Sequence, residues 1–401
     1  MNNITGTIAL LSLAIPGFFL NLIILGKKRA NEAAAISWLT GSIVFTLSIY
    51  IINVFFGIKL NLASALSTLV AITGISFVFA KRNLALPKIN FKSNLLVKLI
   101  LVAVPLLIFI TAFFYPVADW DAVTLFDFRA RILLNEGFVV NKIIEMIYGG
   151  YPMYTSLLHF WVYLTGLWTP MPIYPLFTVS LAGGIFFVLR KFYSTRISLL
   201  ISLAVIFVPR LFANSFIPYT NLPYTVLLMM GVFYIYLWTK SKNVSDLIFG
   251  LLLSAATFWV RDFPFALVNF VLVFLAIPVV KKYSKILSIA ATIILVFVYF
   301  VPEFHTIANY LKYTVYEYYS PYWIVFSGVF IYKLIKKQKD WFWALAYLGY
   351  GTILFAGTYI FNTSIPGYYT AVFDAVQRMT IFINIPIILF ATTLFLNKKD
   401  S

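Results

Sequence analysis

The chain has 401 residues, of which 62% are hydrophobic and only 11% are charged, and its mean hydropathy is +0.94. These values are typical of a multi-pass membrane protein and exclude an ordinary soluble enzyme. The chain contains no cysteine, which excludes disulfides, thiolate metal sites and a cysteine nucleophile, and the positions of its basic residues must explain the net charge of +17.

Hydrophobic runs of about 17 to 25 residues, the length that crosses a hydrocarbon core, recur along the whole chain. They predict an all-α polytopic bundle of about 13 transmembrane helices. Residues 1–94 are predicted to form an N-terminal extension of three spans, and residues 95–401 the main region, with a long outer loop at 116–170. The predicted spans lie near 4–25, 33–58, 60–80, 95–115, 171–189, 197–214, 222–239, 246–260, 263–280, 285–302, 321–335, 341–361 and 378–396.

The lysines and arginines predict the orientation of these spans, because short loops rich in them stay in the cytoplasm. With the N-terminus outside, 22 of the 30 basic residues fall in inner loops, for example at 27–29, at Arg190 and Lys191, and at Lys240 and Lys242. The sequence therefore predicts a multi-pass plasma-membrane protein with a cytoplasmic C-terminus. The basic residues are then explained by the orientation of the protein in the membrane, so nucleic acid is not an expected partner.

The segment YPMYTSLLHFWVYLTGLW, residues 151–168, decides whether this orientation is consistent. It is apolar enough to be a span, but a crossing here would place Arg190, Lys191 and Arg196 outside and invert every later loop. The sequence therefore predicts a helix that rests on or dips into the outer face. The alternative is an ordinary short span with one broken charge rule.

Charged residues gather near the predicted outer boundary of the membrane, where 9 of the 13 acidic residues also fall. Ionisable groups at membrane depth are costly and usually face a cavity or a partner. The planar guanidinium of arginine suits a phosphate, and a carboxylate can act as a general base. The residues in question are Asp119, Asp121, Arg210, Arg261, Asp262 and Arg378.

Each of these residues also has an ordinary interpretation. Arg261 and Asp262 would serve as turn residues between two antiparallel helices. Arg378 would pair with Asp374 one helical turn earlier. Arg210 would extend its guanidinium to the interface.

The stretch AVTLFDFRARILLNEG, which follows Asp121, predicts an interfacial helix that ends at Gly137. Leu125, Phe128 and Ile132 have helical spacing and form its apolar face.

Four other polar residues of the chain have simpler interpretations. Asp127 and Arg131 are spaced as an ordinary i,i+4 ion pair on the interfacial helix. His159 and His305 lie beside aromatic residues, where a single histidine more often packs than reacts, although a place in the site is the alternative.

The order of these parts resembles the GT-C membrane glycosyltransferases. A span is followed by an outer loop that opens with DWDA, an interfacial helix, the segment YPMYTSLLHFW, a helix ending VLRKFY and then SLLISLAVIFVPRLFANSFIPYTNLPYTVLL. The resemblance covers roughly residues 95–380. It implies an enzyme that transfers a sugar from a polyprenyl phosphate or pyrophosphate to an acceptor on the extracytoplasmic side. In that family the first large outer loop carries the catalytic acid.

Carried over to this sequence, the resemblance implies that Asp121 is the catalytic acid, with Asp119 as the second choice. The later outer turn IPYTNLP contains Tyr219 and Asn221, where many relatives look like YADLP. Asparagine here replaces an acid and offers only one neutral carbonyl to a hard cation. The resemblance therefore favours catalysis without a cofactor, and a divalent metal held by the two aspartates is the alternative.

The predicted reaction is an inverting glycosyl transfer by direct displacement. Asp121 would deprotonate the acceptor hydroxyl, while Arg210, Arg261 and Arg378 stabilise the departing lipid phosphate. The predicted partners are the lipid-linked sugar, an unidentified acceptor and membrane lipids. The predicted supporting residues are Tyr219, Asn221, Asp262 and His305.

Two other functions remain open. A transporter or flippase for lipid-linked glycans would also carry charges within the membrane, but no repeated halves are visible in the sequence and the charges gather at one face. A glycan ligase or polymerase of another fold would share the arginine-rich outer face without needing the DWD motif.

Overall fold

The computed structural model of the protein describes residues 3–87, 95–146, 151–261, 324, 328–333 and 335–336. All regular secondary structure in these residues is helical, as the sequence predicts. The α-helices are α1 Asn3–Ser12, α2 Ala14–Leu25, α3 Ala30–Ala35, α4 Ser37–Phe56, α5 Leu62–Ala80, α6 Leu95–Ala112, α7 Phe128–Glu136, α8 Lys142–Met146, α9 Tyr154–Leu164, α10 Ile173–Leu189, α11 Thr195–Ile206, α12 Pro209–Asn214, α13 Asn221–Ser241 and α14 Val244–Val260. A π-helix, Ala122–Asp127, precedes α7 directly.

Four helical segments within the described residues are long and apolar enough to cross a bilayer, which indicates a membrane protein. They are Asn3–Leu25, Ser37–Phe56, Leu62–Asn83 and Asn221–Ser241. Shorter apolar helices at Val102–Ala112, Ile173–Leu189, Thr195–Ile206 and Val244–Val260 overlap four further predicted spans. Most residues of the five predicted spans from 263 onward lie outside the described residues, so the total of about 13 stays a prediction.

The chain divides into two compact units. The first combines Met1–Gly231 with Asn243–Phe263, and the second combines Val232–Lys242 with Pro264–Ser401. Of the second unit, the structure describes the end of α13 and the residues between 324 and 336 given above. The site considered below lies in the first unit.

Capping residues place the turn between α4 and α5. Gly57 adopts a left-handed backbone with φ of +63°, and its N–H donates to the Asn53 carbonyl at 3.1 Å. A residue without a side chain takes this conformation at no steric cost. Asn61 then caps α5, because its Oδ1 accepts from the Ser64 N–H at 2.9 Å while the Ser64 hydroxyl accepts from the Asn61 N–H.

The predicted span 197–214 is a broken helix. α11 ends at Ile206, and α12 begins at Pro209 after a residue, Val208, with an extended ψ of 117°. Proline has no N–H to continue the helix and disfavours helical geometry in the residue before it. This break sets the position of Arg210, which follows Pro209 in α12.

The segment 151–168 contains only one helix, α9, which has 11 residues. At 1.5 Å per residue it is about 16 Å long, roughly half the hydrocarbon thickness. The Tyr154 hydroxyl lies 2.9 Å from Ser42 Oγ of α4, and Trp161 Nε1 donates to the Ala9 carbonyl of α1 at 3.1 Å. This short helix packs against α1 and α4, and whether the segment crosses the membrane stays a prediction. Which face of the membrane it occupies stays a prediction.

The three predicted N-terminal spans pack against helices of the later region. α1 and α4 contact α9, α3 and α4 contact α10, and α2 and α4 contact α14. The extension therefore supports the later helices within one unit. Its boundary near residue 94 stays a prediction, because residues 88–94 lie outside the described residues.

Two glycines allow α2 and α4 to cross at close range. A Cβ atom on Gly17 would lie 1.9 Å from the Ser37 carbonyl oxygen, and a Cβ atom on Gly41 would lie 1.7 Å from the Leu13 carbonyl oxygen. Small residues commonly permit such backbone contact between membrane helices. The crossing accordingly tolerates no side chain at either glycine.

We expect Gly41→Ala to destabilise the protein by roughly 1–3 kcal/mol, the usual cost of forcing extra atoms into a packed interface. Thermal unfolding in detergent measures this effect. The matched control is Gly74→Ala in α5, where an added Cβ meets no atom within 4 Å. Equal unfolding midpoints for the two variants would contradict the close crossing.

Candidate functional site

The DWD motif lies between α6 and the π-helix. Asp119 and Asp121 are half-buried, whereas Trp120 between them is exposed. The Asp119 carbonyl accepts from the Val123 N–H at 3.0 Å, and Asp121 is the residue immediately before the π-helix. The two predicted catalytic carboxylates therefore sit at the start of one continuous helical segment.

The π-helix packs against the turn Ile217–Asn221. Ala122, Leu125 and Phe126 form a buried apolar group with Tyr219, and the ring centroids of Phe126 and Tyr219 are 6.5 Å apart. Ile217 also packs against this group. The two segments in which the sequence predicts site residues, and which it predicts to lie outside, are thus in direct contact.

Arg261 contacts the same turn from the end of α14. Its side chain is buried, and Nη1 donates to Asn221 Oδ1 and lies 3.5 Å from Thr220 Oγ1. The structure therefore brings the predicted residues Tyr219, Asn221 and Arg261 together beside the helix that follows Asp121.

Arg210 lies on α12, which leads into the same turn. Its backbone carbonyl accepts from Asn214 Nδ2 at 2.8 Å, and its side chain is half-buried. Phe216, just after α12, stacks on Tyr115 at a centroid distance of 4.6 Å, which connects this region to the chain leaving α6. The remaining predicted site residues, Asp262, His305 and Arg378, lie outside the described residues.

A second group of polar side chains surrounds Asp127, the last residue of the π-helix. The Asp127 side chain is 8% exposed. Its Oδ2 accepts from Arg131 Nε at 2.8 Å, its Oδ1 accepts from the Tyr163 hydroxyl, and His159 Nδ1 lies 3.5 Å from the same Oδ1. His159 Nε2 lies 2.7 Å from the Tyr174 hydroxyl. These residues join the π-helix to α9 and α10, and we call them the Asp127 network.

The donors of this network control the ionisation of Asp127. Burial alone would raise the pKa of the carboxyl group, but hydrogen bonding from His159 and Tyr163 and the contact with Arg131 outweigh burial and lower the pKa to about 2. Burial also lowers the pKa of His159, and the nearby carboxylate opposes this only in part, so the imidazole is neutral at pH 7.

The sequence predicted only part of this network. The i,i+4 pair of Asp127 and Arg131 is confirmed. His159 is packed among aromatic residues as predicted, but it also has two polar neighbours, which the sequence did not indicate. The available signal was the i,i+4 spacing of His159 and Tyr163, which places two polar side chains on one face of an apolar helix.

A third group of charges lies at the ends of α2, α10 and α14. Glu32 is buried and contacts Arg29 through both carboxylate oxygens and Lys191 Nζ at 2.7 Å, while Arg29 Nη1 lies 2.5 Å from Asp246 Oδ1. Burial would raise the pKa of Glu32, but the hydrogen bond from Arg29 and the charge of Lys191 lower it. The loops that hold these four residues were all predicted to lie inside, and the contacts bring them together.

No group of three or more His, Asp or Glu side chains within the described residues is arranged to hold a metal ion. Independence from metal stays a prediction, since three of the predicted site residues are outside that part of the chain.

Comparison with known proteins adds no family assignment: no protein-family model, curated protein or solved structure matches the chain.

The depressed pKa of Asp127 predicts how stability depends on pH. Because the carboxyl group titrates lower in the folded protein than its usual value of 3.8, its ionised form stabilises folding above about pH 4, and this contribution is lost as the pH falls toward 2. We expect the unfolding temperature of the wild type to fall more steeply between pH 4 and pH 2 than that of Asp127→Asn. Glu32 contributes in the same sense in both proteins.

Thermal unfolding in detergent across this pH range checks the prediction. Glu136→Gln, at an exposed carboxylate of the same loop, is expected to keep the wild-type profile. A wild-type slope equal to that of Asp127→Asn would contradict the stabilising role of the ionised carboxylate.

Proposed function

We propose that the protein is an integral-membrane glycosyltransferase that moves a sugar from a polyprenyl-linked phosphate or pyrophosphate to an acceptor outside the cytoplasm. The observation that carries this proposal is the position of the turn Ile217–Asn221. On one side it contacts the π-helix that begins after Asp121, and on the other it contacts Arg261. A candidate base and a candidate phosphate-binding cation therefore belong to adjoining segments.

The proposed reaction is a direct displacement at the anomeric carbon. The acceptor hydroxyl oxygen forms the new bond as its proton passes to Asp121, and the bond from the anomeric carbon to the lipid phosphate oxygen breaks. The electron pair of the broken bond stays with the phosphate, which needs cations rather than a proton. Arg261 supplies one cation, and Arg210 is the further candidate within the first unit. No metal is required for this balance, and Asp119 is the alternative base.

The pairing of Arg261 with Asn221 supports a role in binding an anion. A neutral amide oxygen orients the guanidinium without adding a negative charge beside it, whereas an aspartate at this position would form an ion pair. The asparagine that departs from the acid seen in resembling proteins therefore favours attraction of a lipid phosphate.

The apolar helices support a lipid-linked donor. Exposed apolar side chains such as Val102, Leu106, Leu107, Ile110 and Phe114 run along α6 toward the DWD motif. A membrane-embedded carrier places its phosphate where such a helix meets water, which is the depth proposed for Asp121. We place the site on the extracytoplasmic face of the plasma membrane.

The first test is Asp121→Asn in reconstituted vesicles supplied with polyprenyl-phosphate sugar. We expect transfer to fall by at least about 100-fold, the lower range for loss of a general base, while the variant still inserts and unfolds at the wild-type temperature. Glu136→Gln is the matched control with an exposed carboxylate. Unchanged transfer by Asp121→Asn would remove this residue from the role, and Asp119→Asn would then test the alternative base.

The second test concerns donor binding. Arg261→Ala and Asn221→Asp are each expected to raise the KM for the lipid-linked donor by about tenfold or more, because charge-assisted hydrogen bonds contribute roughly 1.5–3 kcal/mol. Arg261→Lys, which keeps the charge but loses the planar fork, should fall between them and the wild type. Arg196→Ala, at an exposed arginine, is the control. A KM for the donor that is unchanged in both variants would contradict the role of Arg261.

The same vesicles test the rival function. Movement of the donor across the vesicle membrane without transfer of the sugar would favour a flippase.

A further inference from the structure

His159 is the fully buried member of the Asp127 network and has polar neighbours on both sides of its ring. Its side chain has no exposed surface. Nε2 lies 2.7 Å from the Tyr174 hydroxyl, and Nδ1 faces Asp127 Oδ1 at 3.5 Å, with no closer hydrogen-bond partner among the described residues. The imidazole therefore connects α10 to the π-helix through α9.

The direction of the hydrogen bonds follows from the chemistry of the groups. A carboxylate only accepts, so the neutral imidazole presents its N–H from Nδ1 to Asp127. Nε2 then accepts from the Tyr174 O–H. The Tyr163 hydroxyl and Arg131 Nε also donate to the carboxylate. Three side chains of the network thus present a donor to Asp127, and the Tyr174 hydroxyl donates to His159 behind it.

The members of the Asp127 network do not contribute equally to holding the π-helix against α9 and α10. Arg131 lies four residues after Asp127 on the same helical segment, so their ion pair does not itself fasten that segment to α9. The Arg131 guanidinium also contacts Tyr163 of α9, with Nη2 3.4 Å from the hydroxyl, but the arginine side chain is 61% exposed to screening solvent. His159 and Tyr163 both belong to α9 and do fasten the segment. His159 alone continues the connection, through Tyr174, to α10.

Asp127, which the network holds in place, is close in the chain to Asp121, the proposed base. Asp127 ends the six-residue π-helix, and Asp121 stands immediately before its first residue. A π-helix is rare, occurs often at functional sites and is held by its surroundings rather than by intrinsic preference. A shift of Asp127 therefore moves the Asp121 end of the same segment.

We propose that His159 is a positioning residue: through Asp127 it holds the π-helix in place and so fixes Asp121 relative to the turn that contacts Arg261. The catalytic consequence of this positioning rests on the proposed function, the transfer of a sugar with Asp121 as the base. The holding of the π-helix itself is a structural statement that can be measured without a substrate.

Two substitutions of His159 separate the two halves of the connection. The side-chain amide nitrogen of asparagine reaches about as far as Nδ1, so His159→Asn keeps a donor facing Asp127 and loses the contact with Tyr174. The amide nitrogen of glutamine reaches about as far as Nε2, so His159→Gln keeps a partner for Tyr174 and loses the donor to Asp127. Both variants replace an aromatic ring by a smaller amide, which makes each the control for the other.

The first measurement is hydrogen exchange of the purified protein in detergent, followed by mass spectrometry of peptides covering residues 119–127. We expect faster exchange in His159→Gln than in His159→Asn, with His159→Asn close to the wild type. Equal exchange in the two variants, or faster exchange in His159→Asn, would overturn the inference whatever the activity.

The second measurement is the rate of transfer from polyprenyl-phosphate sugar in vesicles. Because a displacement of about 1 Å can cost up to 100-fold in rate, we expect kcat of His159→Gln to be at least tenfold below that of His159→Asn, with the donor KM of both near the wild type. A role in packing alone would lower both equally. Equal kcat values despite different exchange would overturn the link to catalysis.

Failure of the proposed function has a different signature. If wild type and Asp121→Asn both transfer no sugar while the exchange contrast is present, the glycosyltransferase proposal fails and the hold of His159 on the π-helix is supported. If the wild type transfers sugar and the exchange contrast is absent, the inference fails and the proposed function is unaffected.

Discussion

The buried carboxylate of Asp127 is the constraint on which the arrangement of the segment between α6 and α9 depends. An ionised group removed from water is costly unless hydrogen bonds replace its hydration, so the segment around Asp127 is stable only where donors surround it. α9 supplies the Tyr163 hydroxyl as one donor and places His159 Nδ1 3.5 Å from the same carboxylate oxygen. The loop is therefore fixed by a requirement for hydrogen bonds as well as by apolar packing.

This constraint gives the first three spans a physical role. α9 can hold Asp127 only if α9 itself is fixed, and its side chains Tyr154 and Trp161 are bonded to α4 and α1 respectively. α4 in turn packs closely against α2, because Gly17 and Gly41 let the two backbones approach each other. The N-terminal helices thus support the segment that carries Asp127 through their contacts with α9.

Hydrophobic length predicted the helices well, because a long apolar run has few alternatives in a membrane. It missed the break before Pro209, since a proline inside an apolar run is compatible with a kinked helix as well as with an interruption. Local spacing likewise found the pair of Asp127 and Arg131 but not His159, because a contact between residues 32 positions apart leaves no periodic signal. The contact of Arg261 with Asn221 could not be predicted for the same reason. The order of the loops predicted that both residues lie at one face, but only the folded chain shows that they form a hydrogen bond.

The charged groups at the two ends of α14 have contrasting partners. Arg29 meets two carboxylates, those of Glu32 and Asp246, so the contacts of that group cancel charge and join three loops. Arg261 instead donates to the neutral side chains of Thr220 and Asn221. The Asn221 amide adds no charge of its own beside the Arg261 guanidinium, whereas the Glu32 and Asp246 carboxylates offset the charge of Arg29. The contacts of Arg29 therefore join parts of the fold, whereas the contact of Arg261 with Asn221 is the one on which the proposed phosphate binding depends.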